Sequence, residues 1–129
     1  SDLVSPDLTT VKSAQKVYDD LGRIAARPWV MLSAGASAEN FRKILKYAYN
    51  SGASGFLAGR SIWWDSFVKN FPDISKMQDA LSKKSANYMR EINYLSSQFA
   101  TPWYDHPIYN SGPQMQYSNE EFIKNYSDF

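Results

Sequence analysis

Two short apolar runs joined by an amphipathic segment occupy residues 27–60, and they restrict this part of the chain to an α/β arrangement. The first run, from Trp29 to Leu32, is apolar at every position, which is typical of a strand covered on both faces within a parallel sheet. A helix is predicted next over residues 38–50, with Ser37 as its N-cap and Gly52 just past its end. Its apolar residues keep helical spacing: Phe41, Ile44, Leu45 and Ala48. A second apolar run at 54–58 completes a strand-helix-strand unit.

Both predicted strands end in residues that suit an anion. Ser33, Ala34 and Gly35 follow the first strand, and Gly59 and Arg60 follow the second. Small residues let the backbone approach a ligand, and the N–H groups at a helix start favour negative charge. An arginine adds a forked cation suited to phosphate. Taken singly, each loop is equally well explained as a tight turn, with Arg60 in a surface ion pair. Two such loops one unit apart predict an oxyanion site.

The rest of the chain is predicted to be helical up to about residue 100. Helices are expected over 10–25, over 61–70 and from about 73 to 100, the last with one apolar stripe packing on the core. Its members are Met77, Leu81, Met89, Ile92, Leu95 and Phe99. Residues 104–129 are rich in proline, asparagine and tyrosine, and residues 118–126 could form one last short helix. We expect this tail to pack on the body or on a partner.

Two strands do not make a stable parallel sheet, and a closed eight-stranded barrel takes about 250 residues. The fold class predicted is therefore α/β, with residues 1–103 as part of a (β/α)8 barrel, namely strands seven and eight with their helices. In such barrels the loops after these two strands are the usual phosphate position. The remaining strands would come from a second chain carrying strands one to six, or from a homo-oligomer.

Composition excludes several classes of function. The net charge of +1 does not indicate the basic surface that binds nucleic acid. No apolar run approaches the roughly 20 residues that span a bilayer. The chain has no cysteine and one histidine, so we expect no metal and no cofactor. His106 beside Asp105 has no nucleophile near it in the sequence, and a structural role is expected. The first residues lack the features of a signal peptide, so a cytoplasmic location is expected.

Several motifs together resemble the end of a known enzyme family. They are Leu32-Ser33-Ala34-Gly35, Ser51-Gly52-Ala53 and Gly55-Phe56-Leu57-Ala58-Gly59-Arg60-Ser61-Ile62-Trp63. Over about residues 10–103 the chain resembles the class I tagatose-1,6-bisphosphate aldolase family, which includes the sulfofructose-phosphate aldolases. The family pattern for the last of these motifs is Gly-Val-Leu-Cys-Gly-Arg-Ala-Thr-Trp.

The resemblance implies a barrel that cleaves a ketose phosphate, or a related anionic sugar, to dihydroxyacetone phosphate and an aldehyde through a lysine Schiff base. Ser33, Ala34, Gly35, Gly59 and Arg60 would then bind the substrate phosphate. The family lysine lies on a strand upstream of residue 1, so no catalytic residue is expected here. Two alternatives stay open: an aldolase-derived module for oligomerisation or binding without catalysis, and a small phosphate-binding domain of unrelated fold.

Overall fold

The computed structural model describes residues 8–110, which form helices around one small sheet. Five α-helices and two strands follow in the order α1 Leu8–Ala25, β1 Val30–Leu32, α2 Ala38–Asn50, β2 Gly55–Leu57, α3 Arg60–Asn70, α4 Ile74–Ala80 and α5 Ala86–Phe99. A π-helical turn, Leu81–Ser85, joins α4 to α5, and two 3₁₀ turns follow at Trp103–Asp105 and Pro107–Tyr109. The helix predicted at 118–126 lies outside the described residues. Within them, no helix is long and apolar enough to cross a membrane.

The predicted strand-helix-strand unit is confirmed. Strands β1 and β2 pair in parallel, with Met31 opposite Phe56 and Leu32 opposite Leu57. Helix α2 has the bounds that its periodicity predicted, the Ser37 side chain caps it by accepting from Asn40 N at 3.2 Å, and Gly52 follows it at φ 86°. These features are local, which is why the sequence alone specifies them.

The core lies between α2, α5 and one face of the sheet. The largest of its fully buried side chains are Phe41, Leu45 and Ile92. Phe56 meets Phe41 edge-on, with ring centroids 6.1 Å apart, and Met31 packs on the same cluster. Ala53, also fully buried, accepts a hydrogen bond from the backbone N–H of Thr101 at 3.0 Å, which ties the chain after α5 back to the sheet.

The opposite face of the sheet is exposed. Val30 is 47% exposed, and Leu32 and Leu57 are each 57% exposed. Because successive side chains of a strand point to opposite faces, Met31 enters the core while its two neighbours point away from it. The expectation that β1 is covered on both faces is therefore wrong within the described residues, since α2 and α5 cover one face only.

The long helix predicted from about 73 to 100 is present but interrupted. Asp73 caps α4 by accepting from Lys76 N at 3.0 Å, and the π-helical turn then separates α4 from α5. Ile92 is buried and Leu95 packs beside it, but Phe99 is 61% exposed. The prediction of a single apolar stripe packed on the core is wrong at Phe99, the last residue of α5, and at Met77 and Leu81, which do not join the core cluster. The π-helical turn adds a residue between Met77 and the α5 members of the stripe, so the two parts do not keep one helical register.

Candidate functional site

The two loops predicted to bind an anion lie side by side at the carboxyl edge of the sheet. Ser33 N donates to Leu57 O at 2.9 Å, so the first residue after β1 is held against the last residue of β2. Ser33 itself is buried, with 5% of its surface exposed. Since the carboxyl ends of parallel strands meet at one edge, the loops that leave them begin next to each other.

The loop after β1 turns through two residues in the left-handed region. Ala34 has φ 48° and Gly35 has φ 80°, and Ala36 N donates to Ser33 O at 2.8 Å to close the turn. Glycine adopts this conformation at no steric cost, whereas an alanine there is strained by about 1–2 kcal/mol. Residues held in such conformations are common at ligand sites.

The side chain of Arg60 lies against this turn. A Cβ atom at Gly35 would be 3.3 Å from Arg60 Nη2, so the absence of a side chain at Gly35 lets the guanidinium approach the loop backbone. Arg60 is the first residue of α3, whose N-cap Gly59 makes no side-chain capping bond. The first N–H groups of a helix have no acceptor within the helix, which is why helix N-termini favour anions. In α3, Ile62 N donates to Gly59 O at 2.9 Å.

Gly35 and Arg60 open onto a cleft of about 340 Å³ between α2, α3 and α5. The wall of this cleft comes from Gly35, Ala36, Ser37, Ala38, Arg60, Ser61, Ile62, Trp64, Asp65, Ser66, Lys84 and Tyr88. The structure thus brings two of the five predicted site residues to the cleft itself. Ser33, Ala34 and Gly59 belong to the same two loops but do not line it.

Polar groups that the two loops do not supply come from lining residues that were not predicted as site residues, among them Lys84, Ser61 and Tyr88. Lys84 comes from the π-helical turn, and its Nζ lies 3.8 Å from Asp65 Oδ2 on α3. Ser61 is 9% exposed, and its hydroxyl has no hydrogen-bond partner within residues 8–110. Tyr88 donates from its hydroxyl to Ala38 O at 2.9 Å; burial raises the pKa of this phenol, and the nearby Arg42 opposes the rise. The one available signal was Ser61, which departs from the family pattern.

The other residues considered from the sequence have structural roles or none. His106 Nδ1 accepts from Ile108 N at 3.2 Å and so caps a 3₁₀ turn, as expected for a structural histidine. Trp63 and Trp64 lie on α3, with ring centroids 5.6 Å apart, and are 40% and 47% exposed. No group of three or more potential metal ligands occurs in the part of the chain that the structure describes.

Comparison with known proteins identifies the family. Residues 1–65 match the model of the DeoC/LacD family aldolases, which is half of the 129-residue chain. The chain belongs to this family. The aldolase resemblance inferred from its motifs is confirmed.

Similar proteins carry a more specific name. The chain is 33% identical over 81 residues to the tagatose 1,6-diphosphate aldolase of Lactococcus lactis subsp. lactis, a match covering 60% of this chain and 25% of that enzyme. It is 30% identical over 101 residues to tagatose 1,6-diphosphate aldolase 2 of Streptococcus pyogenes serotype M1, covering 74% of this chain and 30% of the relative. The matched region therefore spans less than a third of either relative's length.

Proposed function

We propose that this chain is the C-terminal part of a class I sugar-phosphate aldolase and supplies the phosphate-binding loops after strands seven and eight of a (β/α)8 barrel. The observation that carries the proposal is the Arg60 guanidinium against Gly35, where the two loops meet, in a chain of an aldolase family. The names of its relatives support a ketose bisphosphate or a related anionic sugar as substrate.

The chemistry of the loops supports a phosphate ligand. The N–H groups that begin α2 and α3 carry the positive ends of two helix dipoles, each favouring an anion by about 0.3–1 kcal/mol. Arg60 adds a permanent charge and paired donors. In the proposed site, the backbones of Ala34, Gly35 and Gly59 approach the phosphate, and Ser33 adds a hydroxyl. Holding the phosphate fixes the reacting carbons relative to catalytic groups outside this chain.

The exposed side of the sheet supports the proposal that further barrel strands complete the fold. Val30, Leu32 and Leu57 form an apolar face that nothing within residues 8–110 covers, and the two-stranded sheet has unpaired edges. Strands one to six, from a second polypeptide or from sequence outside these 129 residues, would pair with those edges and enclose that face. A homo-oligomer is the other arrangement that would cover it. Residues 104–129 would pack on the body or on the partner.

The proposed reaction is cleavage of the sugar phosphate to dihydroxyacetone phosphate and an aldehyde. A lysine outside this chain would form the Schiff base, and the residues of this chain would bind and orient the substrate without reacting. Lys43 fits this division of roles, because it pairs with Glu39 at 2.9 Å on the surface of α2. The alternative is a module that oligomerises without catalysis, which the exposed aromatic side chains of α3 favour.

Arg60→Ala separates these two functions. Loss of a charged, paired hydrogen bond costs about 1.5–3 kcal/mol, so the variant should bind dihydroxyacetone phosphate about tenfold or more weakly, measured by isothermal titration calorimetry. Arg90→Ala is the matched control, because Arg90 is an exposed arginine that contacts Asn87 on α5, away from the loops. Equal affinity of the two variants, with intact helix content by circular dichroism, would favour the non-catalytic module.

A further inference from the structure

We propose that Lys84 and Ser61 are additional ligands for the oxyanion held between Gly35 and Arg60. The inference rests on the proposed function and extends that site outward, into the cleft between α2, α3 and α5. Neither residue belongs to the two loops. Lys84 comes from the π-helical turn, which follows the strand-helix-strand unit and α3 in the chain. The site would thus bind its anion from three helices instead of two.

The first observation is the placement of Lys84 by the π-helical turn. Such a turn takes an extra residue, which rotates the side chains after it relative to those before it. The two adjacent lysines of the turn point in different directions, as neighbouring residues of a helix do. Lys83 Nζ lies 2.6 Å from Asp79 Oδ1 on the preceding helix, while Lys84 lines the cleft and its Nζ lies 3.8 Å from Asp65 Oδ2 on α3. A buried bond of 2.8 Å between the hydroxyls of Ser66 and Ser85 fixes the turn against α3.

The second observation is the hydroxyl of Ser61. The residue is nine-tenths buried in the wall of the cleft, and its Oγ has no hydrogen-bond partner in the described part of the chain. A buried hydroxyl without a partner is unfavourable, so a native structure rarely keeps one without a reason. Ser61 is also the second residue of α3, where the helix dipole favours an anion and a hydroxyl can donate to it.

The third observation is the charge of the cleft. Its titratable side chains are Arg60, Lys84, Asp65 and Tyr88, and the phenol of Tyr88 donates to Ala38 O, away from any anion. Two cations against one carboxylate leave a net positive cleft. A volume of about 340 Å³ is at the lower end of the range for small-molecule sites, which suits a phosphate ester. An oxyanion bound beside Arg60 would also compete with Asp65 for Lys84.

The test is a titration of the full 129-residue chain with inorganic phosphate at constant ionic strength, followed by tryptophan fluorescence because Trp64 lines the cleft. Lys84→Gln should weaken phosphate binding by about two- to fivefold, as expected for a largely exposed cation. Lys83→Gln is the matched control and should leave the dissociation constant unchanged. Ser61→Ala should weaken binding and also raise the melting temperature of the phosphate-free chain, since it removes a buried hydroxyl without a partner.

The outcomes distinguish this inference from the proposed function. If Arg60→Ala loses phosphate binding while Lys84→Gln and Ser61→Ala bind as the parent chain does, the loops bind the anion alone and the inference is wrong. If the parent chain binds no phosphate, both are wrong. A melting temperature that rises in Ser61→Ala with no change in affinity would assign Ser61 a purely structural position and would overturn its part of the proposal.

Discussion

Gly35→Ala perturbs the site at the point where the loop and Arg60 meet, and Gly52→Ala provides a matched comparison. Both glycines have left-handed backbones, with φ 80° at Gly35 and 86° at Gly52. An alanine in this region costs about 1–2 kcal/mol, so both variants should lose about the same free energy of unfolding. They differ in what the new methyl group meets. It would be 3.3 Å from Arg60 Nη2 at Gly35, and within 4 Å of nothing at Gly52.

The steric cost of the methyl group at Gly35 should be small, because the atom it approaches, Arg60 Nη2, is at the end of a flexible side chain. The guanidinium can move away by rotation about the side-chain bonds of Arg60, so the two variants should have similar free energies of unfolding. Moving Arg60 off the loop takes its paired donors out of position, and a displaced charged hydrogen bond weakens binding by about 1.5–3 kcal/mol. We therefore expect Gly35→Ala to bind phosphate about tenfold or more weakly, and Gly52→Ala to bind it normally.

Urea unfolding gives the free energy of unfolding, and calorimetric titration with phosphate gives the dissociation constant, for the parent, Gly35→Ala and Gly52→Ala. The prediction is a similar loss of stability in the two variants and a loss of affinity in Gly35→Ala alone. Equal phosphate affinities would refute the role of the Gly35–Arg60 contact in binding. A much larger loss of stability in Gly35→Ala would mean that Arg60 cannot move away, which contradicts the reasoning about its flexibility.

Two further predictions concern helix packing and pH. In Gly22→Ala the new Cβ would lie 2.4 Å from the backbone oxygen of Ser51, which cannot rotate away. Overpacking of about 1–3 kcal/mol should outweigh the gain of about 1 kcal/mol in helix propensity, so the variant should be less stable than the parent. A melting temperature above the parent's would contradict this. Burial raises the pKa of Tyr49 above its ordinary 10.0, with the Ser96 hydrogen bond opposing the rise. The raised pKa of Tyr49 contributes stability that is fully present below the unfolded-state pKa of about 10 and is lost as pH rises through the folded-state pKa. Tyr49→Phe cannot ionise at this position, so in urea titrations its free energy of unfolding should fall less than the parent's between about pH 9 and about pH 11. Equal losses would refute that prediction.

Sequence patterns predicted the local features of this chain and missed those set by packing. The periodicity of α2, its Ser37 cap and the glycine after it are encoded within a few residues, and the structure reproduces all three. The π-helical turn is not encoded within a few residues, because the Ser66–Ser85 contact that holds it against α3 joins positions 19 residues apart. Without knowledge of that turn, the sequence could not show that Met77 and Leu81 would miss the core cluster that Met89, Ile92 and Leu95 join.

The site divides in the same way. Small residues and an arginine after two strands predicted that Gly35 and Arg60 would meet, since parallel strands end at one edge. The apolar run of β1 could not show which of its faces would be covered, because every position in it is apolar. Lys84 has no pattern of its own, and only the folded structure brings it to the same cleft as Arg60, whereas Ser61 follows Arg60 directly in the sequence.

Borohydride trapping tests the central proposal, that this chain is the phosphate-binding part of an aldolase barrel. The native assembly, isolated without denaturation, would be incubated with dihydroxyacetone phosphate, reduced, and analysed by mass spectrometry of the intact chains and their peptides. We expect an assembly in which this sequence accompanies a larger part of the barrel, with the reduced adduct on a lysine outside residues 1–129. An adduct on a lysine of this chain, or a bare monomer or small homo-oligomer that forms no adduct, would contradict it.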